Sequence, residues 1–457
     1  MIDFLKEAAN VVPSGRQLAW FDTNFYAFIH FGVNTFTDRE WGQGTEPESV
    51  FNPVKLDCRQ WAKTLKEAGM KGMVLTAKHH DGFCLWPSRY TEHSVKNSPV
   101  ARDVVGEAAK ACAEEGLRFG VYLSPWDRNS AYYGTPEYND YYCNQLEELL
   151  TGYGKLFCVW FDGACGEGPN GKKQEYDFDR YVALIRKHQP EAVVFFDKGP
   201  DVRWCGNEAG IGRFAEWCVV PGELCPYSEV QTGPGPLAEE GDLSYLYNTD
   251  SYVGSMPNIL YSRGLAFTPA EIDTSIRPGW FWHQEEEPKS LKKLFQIYLS
   301  SVGGNACLNL NIPPNRDGLL DQRDVARLKE LRELLDQELG HPLEAVVEKK
   351  DTSRPTQPEY VVTLASPVSR IKYVELREDI AAGQRVETFR IEAVSASGGQ
   401  FPLFQGTTIG NRRICALTDP FADQNRLLDD SGDKIDRLVV KITAARGEVS
   451  LKSIAVM

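Results

Sequence analysis

At 457 residues the chain is long enough for a large barrel plus a smaller domain. It is 42% apolar and 25% charged, the balance of a globular protein, and it contains no run of about 18 apolar residues that could span a bilayer. A net charge of -14 argues against nucleic acid and anionic membrane surfaces as partners, because both are polyanions.

The first predicted strand is Phe25 to Phe31, which ends at Gly32. A polar loop follows with Asp38-Arg39-Glu40-Trp41-Gly42. Helical spacing runs from Asp57 to Ala68 and stops at Gly69. Gly72 to Ala77 reads as the second strand and leads into Lys78-His79-His80-Asp81-Gly82. Asp103 to Glu115 is an amphipathic helix, and Leu117 to Leu123 is the third strand, closing on Ser124-Pro125-Trp126-Asp127. After a helix from Tyr138 to Leu150 comes Leu156-Phe157-Cys158-Val159-Trp160, five apolar residues suited to a strand buried on both faces. Phe161, Asp162 and Gly163 close it. Tyr176 to His188 is helical, and Ala192 to Phe196 is the fifth strand, followed by Arg203-Trp204-Cys205-Gly206-Asn207-Glu208.

Beyond this point the pattern weakens. Phe214 to Val220 reads as strand six, Pro221 to Thr274 as loops with short elements, and Arg277 to Trp282 as strand seven. Leu291 to Val302 is a helix, Ala306 to Leu310 the eighth strand, and Asp324 to Leu339 a last helix before Gly340. Strands alternating with helices point to an α/β fold, a (β/α)8 TIM-like barrel. A doubly wound open sheet is the runner-up, but no GxGxxG follows the first strand. After His341-Pro342 short strands recur between Gly, Pro, Ser and Asp, at residues 360–364, 371–376, 389–394, 438–442 and 449–451, the pattern of a β-sandwich. The expected division is a catalytic barrel over 1–342 and a C-terminal β-sandwich over 343–457.

The eleven cysteines are scattered, odd in number and set mostly within apolar segments, so they read as reduced, buried thiols. The opening Met1–Glu7 has neither a basic start nor an apolar core of signal-peptide length. Both features lead to the expectation of a cytoplasmic protein, or a secreted one if a leader has been removed.

Barrel enzymes place catalytic groups at the carboxyl ends of their strands. Asp162 stands there, two residues from Trp160, so the two side chains point the same way on a strand. A carboxylate beside a flat ring suits sugars, whose apolar faces lie on aromatics. The ten Trp and nineteen Tyr fit that environment. Of only seven histidines, His30, His79, His80 and His283 fall at predicted strand ends. Neutral imidazoles offer one donor and one acceptor to sugar hydroxyls. Metal ligation fits less well: the first strand offers His30 alone, and adjacent His79 and His80 point opposite ways on a strand. No nucleophile elbow or Cys motif is present, and Gly166 to Gly171 lacks the Lys-Ser/Thr ending of a phosphate loop. Carboxylates remain, and two of them suffice for glycoside hydrolysis with no cofactor and no metal. Asp162 is one, Glu208 the best second, with Glu40 and Asp127 as rivals.

These motifs carry a resemblance. Trp20-Phe21, His30-Phe31-Gly32, Glu40-Trp41-Gly42, Lys78-His79-His80-Asp81-Gly82-Phe83, Gly120-Val121-Tyr122-Leu123-Ser124 and Trp160-Phe161-Asp162-Gly163, in this order, resemble the α-L-fucosidases of glycoside hydrolase family 29. The resemblance implies a substrate that is a fucosylated oligosaccharide or glycoconjugate, Asp162 as nucleophile, and His30, His79, His80, Glu40, Trp41 and Trp160 as sugar contacts, with Tyr122 and Trp280 matching further pocket positions. Arg203-Trp204-Cys205-Gly206-Asn207-Glu208 resembles the segment of the α-1,3/1,4-fucosidase subfamily in which the Glu is the acid/base. Arg277 to His283 and Gly383 to Val386 point the same way. The implied reaction is retaining hydrolysis through a fucosyl-enzyme, with carboxyl groups about 5–5.5 Å apart. The alternatives are a fucosidase of broader linkage specificity, a sugar-binding barrel without turnover, and a metal-dependent hydrolase.

Overall fold

The structure, a computed structural model, describes residues 2–241, 243–247, 250–417 and 434–457. Eight strands form one parallel sheet: β1 (Phe25–Ile29), β2 (Gly72–Lys78), β3 (Arg118–Leu123), β4 (Leu156–Trp160), β5 (Val193–Phe195), β6 (Arg203–Trp204), β7 (Ala270–Ser275) and β8 (Cys307–Asn311). Their order is β5-β4-β3-β2-β1-β8-β7-β6. A parallel bridge between Phe195 and Val202 brings β5 to the start of β6, so the sheet closes on itself as a TIM-like barrel.

The barrel follows from side-chain parity. On β1, Phe25, Ala27 and Ile29 pack outward with Trp61 and Leu65 of the first barrel helix. Tyr26 and Phe28 pack inward with Tyr122, Trp160 and Phe195. Both faces are therefore apolar, as a strand buried on two sides requires. The helices Cys58–Glu67, Val104–Glu115, Phe178–His188 and Gln322–Leu339 each start on an aspartate (Asp57, Asp103, Asp177 and Asp321) whose side chain accepts first-turn N–H groups. Each such cap contributes about 1 kcal/mol. Beneath the barrel top, Lys78 and Asp127 form an ion pair at 2.9 Å with side chains 0% and 1% exposed. Gln145 also accepts from Lys78, at 2.9 Å. Deleting either ion would strand the other in the core, a loss of about 3–5 kcal/mol.

Two sequence expectations need correction. Barrel strand six is Arg203–Trp204, two residues long, and strand seven is Ala270–Ser275. Phe214 to Val220 contributes instead to a small antiparallel ribbon of Val219–Pro221 with Leu265–Phe267, and Arg277 to Trp282 is a loop above β7. Strand seven hides from a hydrophobicity reading because its inward residues are Glu271, Asp273 and Ser275, all buried. Glu208 accordingly follows strand six, not strand five.

The last barrel helix ends at Leu339, and β9 (Ala345–Lys350) opens the C-terminal sheets. With β10 (Glu359–Val368), β11 (Tyr373–Glu378), β12 (Val386–Ser395), β13 (Gln400–Thr407), β14 (Arg413–Ala416), β15 (Ile435–Ala445) and β16 (Leu451–Val456) they make a five-stranded sheet, β9-β10-β15-β12-β13, over a three-stranded one, β14-β11-β16. Inner-face residues such as Val362, Leu376, Phe389, Ile391 and Val440 form one apolar core between them. This β-sandwich touches the amino end of the barrel: Asn305, just before β8, donates to Arg412 O at 2.9 Å, and Ile414 donates to Gly303 O at 2.8 Å.

Candidate active site

At the carboxyl ends of the strands three buried imidazoles converge. His30 follows β1 and stands 2.9 Å through Nδ1 from Asn311 Oδ1. The Asn311 amide cannot be turned the other way, because its Nδ2 donates to Ser275 Oγ at 2.9 Å and to the Trp280 carbonyl at 2.7 Å. His30 Nδ1 therefore carries the hydrogen, and Nε2 is left as an acceptor. His80 makes the same choice by another route. Its Nδ1 lies 2.7 Å from Ser124 Oγ, which spends its own hydrogen on Trp126 O at 2.7 Å. His79 is the opposite tautomer: its Nδ1 lies 3.4 Å from Asn34 Nδ2, a donor also directed at Glu40 O, so Nε2 carries the hydrogen. Burial keeps all three neutral. It lowers His30 to about 3, takes His79 well below the usual range, and lowers His80 even against the opposing charge of Asp162.

Asp162 lies two residues past β4. Its Oδ2 accepts from Tyr122 OH at 3.0 Å and its Oδ1 from Ala164 N at 2.7 Å. His80 Nε2 stands 3.9 Å from Oδ2. Asp197 is pushed up to about 6 by burial and by the charge of Asp162. Its carboxylate packs against the turn that follows Asp162: a Cβ on Gly163 would fall 2.3 Å from Asp197 Oδ2. Glu208 sits on the loop after β6, exposed, with Trp280 Nε1 donating to its Oε2 at 3.1 Å. The loop is tied to β7 by Thr274 Oγ1, which donates to Glu208 O at 2.8 Å. Of the rival carboxylates, Asp127 is spent on Lys78 and on the backbone N–H groups of Asn129 and Ser130. Glu40 accepts from the Trp280 and Phe281 N–H groups and meets His283.

Aromatic rings wall this space. Trp160 stacks on Phe195 with centroids 4.1 Å apart and planes 7° apart, and its Nε1 donates to Glu271 at 2.8 Å. Tyr122 lies 5.3 Å from Trp160, and Trp280 lies 4.9 Å from His30. Trp41 stands at the mouth, 60% exposed, edge-on to His80 and Trp126. The His79 ring lies 4.1 Å from His80 and 5.7 Å from His30, and with these contacts His30, Glu40, Trp41, His79, His80, Tyr122, Trp160, Asp162, Glu208 and Trp280 form one region at the barrel top. Among the described residues no three His, Cys, Asp or Glu side chains are arranged to hold a metal ion. All eleven cysteines are free, and ten are buried.

Several residues that hold the region together escaped the sequence reading. Asn311, Ser124 and Asn34 set the histidine tautomers, and Glu271 anchors Trp160. Ser124 closes a motif already noted, and the alternation Asn309-Leu310-Asn311 on β8 puts polar groups on an otherwise apolar strand, but neither pattern names a partner.

A family model described as alpha-L-fucosidase matches residues 10–209. Alpha-L-fucosidase 1 of Arabidopsis thaliana is 38% identical over 483 aligned positions, covering 95% of this chain and 91% of its own. A crystal structure from Bacteroides ovatus, of a protein provisionally designated an α-L-fucosidase, is 42% identical with a TM-score of 0.88 and covers 100% of this chain and 76% of its own. A Ruminococcus gnavus family 29 fucosidase in complex with fucose is 28% identical with a TM-score of 0.79, covering 98% of this chain and 95% of its own.

Proposed function

The chain belongs to the α-L-fucosidases of glycoside hydrolase family 29, and from that premise we propose that it removes terminal α-1,3/1,4-linked fucose from branched glycans with retention, Asp162 being the nucleophile and Glu208 the acid/base. The catalytic unit in this reading is residues 1–342. The observation that carries the reading is the setting of Asp162: two hydrogen-bond donors fix its carboxylate, and His80 Nε2 stands 3.9 Å away. The two donors aim the carboxylate, as a nucleophile must be aimed.

In the first step an Asp162 oxygen attacks the anomeric carbon. The glycosidic C–O bond breaks as Glu208 gives its proton to the departing oxygen. In the second, Glu208 takes a proton from water, the water oxygen attacks the same carbon, and Asp162 is released. The histidines supply a matched hydroxyl reader: His30 and His80 offer acceptors and His79 a donor, so a sugar presenting hydroxyls in that pattern satisfies all three. A fucose-bound relative supports fucose as that sugar. Trp160 and Trp280 supply apolar faces for the ring and its methyl group. The linkage preference rests on Arg203 to Glu208, the segment resembling the α-1,3/1,4 subfamily.

The test has two parts. Lewis-type and H-type oligosaccharides are incubated side by side, and release from the Lewis type alone is expected; equal release from α-1,2 linkages overturns the preference. Asp162→Ala should nearly abolish release of an aryl fucoside. Glu208→Ala should lose most on poor leaving groups and regain rate with azide, and a Glu208→Ala variant indifferent to both overturns the acid/base role.

A further inference from the structure

We propose that His283 is a positioning residue for acid catalysis, acting through Glu40 on the indole that holds Glu208. The proposal rests on the reading of Glu208 as acid/base. Its geometry is a chain of contacts across two loops. Glu40 follows the short helix Val33–Thr37, and its carboxylate is turned toward the loop above β7. Oε2 accepts from Trp280 N at 2.8 Å, Oε1 accepts from Phe281 N at 3.2 Å, and Oε1 lies 2.7 Å from His283 Nε2. The other ring nitrogen, Nδ1, lies 2.8 Å from Asp38 Oδ1. Both imidazole nitrogens thus face carboxylates, an arrangement that wants two donors and favours the imidazolium.

The fit is tight. A Cβ on Gly279 would lie 2.6 Å from Glu40 Oε1 and 3.0 Å from His283 Cδ2, so any side chain there would displace the Glu40 carboxylate from His283. From the opposite side Asn311 Nδ2 grips the Trp280 carbonyl at 2.7 Å. The Trp280 peptide is therefore held at both its N–H and its C=O. Its indole can then do two things at once: lie against His30 at 4.9 Å and donate to Glu208 Oε2 at 3.1 Å. His283 touches neither carboxylate of the reaction. Its ring instead fixes the far end of the lever that aims one of them.

A mere surface staple would lower stability and leave leaving-group dependence alone. The discriminating measurement is kcat/KM for His283→Ala, His283→Gln and Gly279→Ala on two substrates, an aryl fucoside with a good leaving group and a fucosylated oligosaccharide, with Glu208→Ala beside them. Misaiming the acid should cost His283→Ala and Gly279→Ala about tenfold more on the oligosaccharide than on the aryl fucoside. His283→Gln, which keeps one N–H for Glu40, should recover part of that difference. Equal losses on both substrates, or none, in His283→Ala and Gly279→Ala while Glu208→Ala discriminates would overturn the lever and leave Glu208 in place. A Glu208→Ala variant that does not discriminate would remove the acid/base reading itself, and the lever with it.

Discussion

Tyr122 donates its hydroxyl to Asp162 across 3.0 Å, and the barrel register makes that bond. Tyr122 on β3 is the direct partner of Trp160 on β4. Asp162 is two residues further along, on the same side of its strand, so its carboxylate leans over the Tyr122 hydroxyl. The same parity sends Tyr26, Phe28 and His30 inward from β1. One geometric rule therefore stacks a hydrophobic floor under a polar rim, and the rim is where the chemistry collects.

Replacing Tyr122 by Phe keeps the ring between Phe28 and Trp160 and removes one donor from Asp162, the proposed nucleophile. A hydrogen bond to a charged group is worth about 1.5–3 kcal/mol, which is roughly a 10–100-fold loss if the whole of it is felt in the transition state. The kcat/KM of Tyr122→Phe on an aryl fucoside should fall within that range, with the thermal midpoint little changed. A variant as active as the parent would mean that Ala164 N alone suffices to hold Asp162.

The buried histidines make a second prediction, about pH. Burial lowers His30 to about 3 in the folded state, against an ordinary value near 6.5 in the unfolded chain. Between those values the unfolded state binds a proton that the folded state refuses, so stability falls as pH drops below about 6.5. The slope for one such group is about 1.4 kcal/mol per pH unit. Asp81 and Asp197, both pushed up to about 6 by burial, act in the opposite sense and would mask it in the parent alone. The comparison with His30→Gln cancels them. The stability advantage of the parent over that variant should shrink by about 2 kcal/mol between pH 6.5 and 5. An advantage independent of pH would place His30 in contact with water.

How much of this was legible beforehand depended on where polarity sits. Strands with apolar inward faces, such as Phe25–Ile29 and Leu156–Trp160, declare themselves. Their terminal His30 and Asp162 could be read as rim groups before any coordinates. Strand Ala270–Ser275 could not, because it turns Glu271 and Asp273 into the barrel and mimics a loop, and Arg203–Trp204 is too short to register. The residues proposed to meet the sugar lie in motifs that resemble a known family's. Asn311, Ser124 and His283 could be noticed in the sequence, but their partners could not: each meets a residue far away in the chain, and no local pattern encodes such a contact.

Glu271 gives the last prediction, since it is the least expected residue in the core. Its carboxyl is buried beneath the pocket and receives three donors: Tyr26 OH, Trp160 Nε1 at 2.8 Å and Asn309 Nδ2 at 3.0 Å. Burial raises its hold on a proton, while the three hydrogen bonds work against that. Trp20 Nε1 donates in turn to Tyr26 OH at 2.9 Å, so the Tyr26 hydroxyl is already committed as an acceptor and aims its hydrogen at Glu271. A carboxamide presents one oxygen where the carboxylate presents two, and its NH2 must face at least one of these donors. Glu271→Gln should lose about 1–3 kcal/mol, the cost of a stranded buried donor, read as a lower denaturant midpoint at unchanged slope. Trp160 and Asn309 both donate to Oε1 while Tyr26 donates to Oε2, so the carboxamide oxygen keeps the first two and its NH2 falls on the Tyr26 hydroxyl. KM for fucosides should therefore stay close to that of the parent while stability falls, and a rise in KM would mean that the amide settles the other way and releases Trp160.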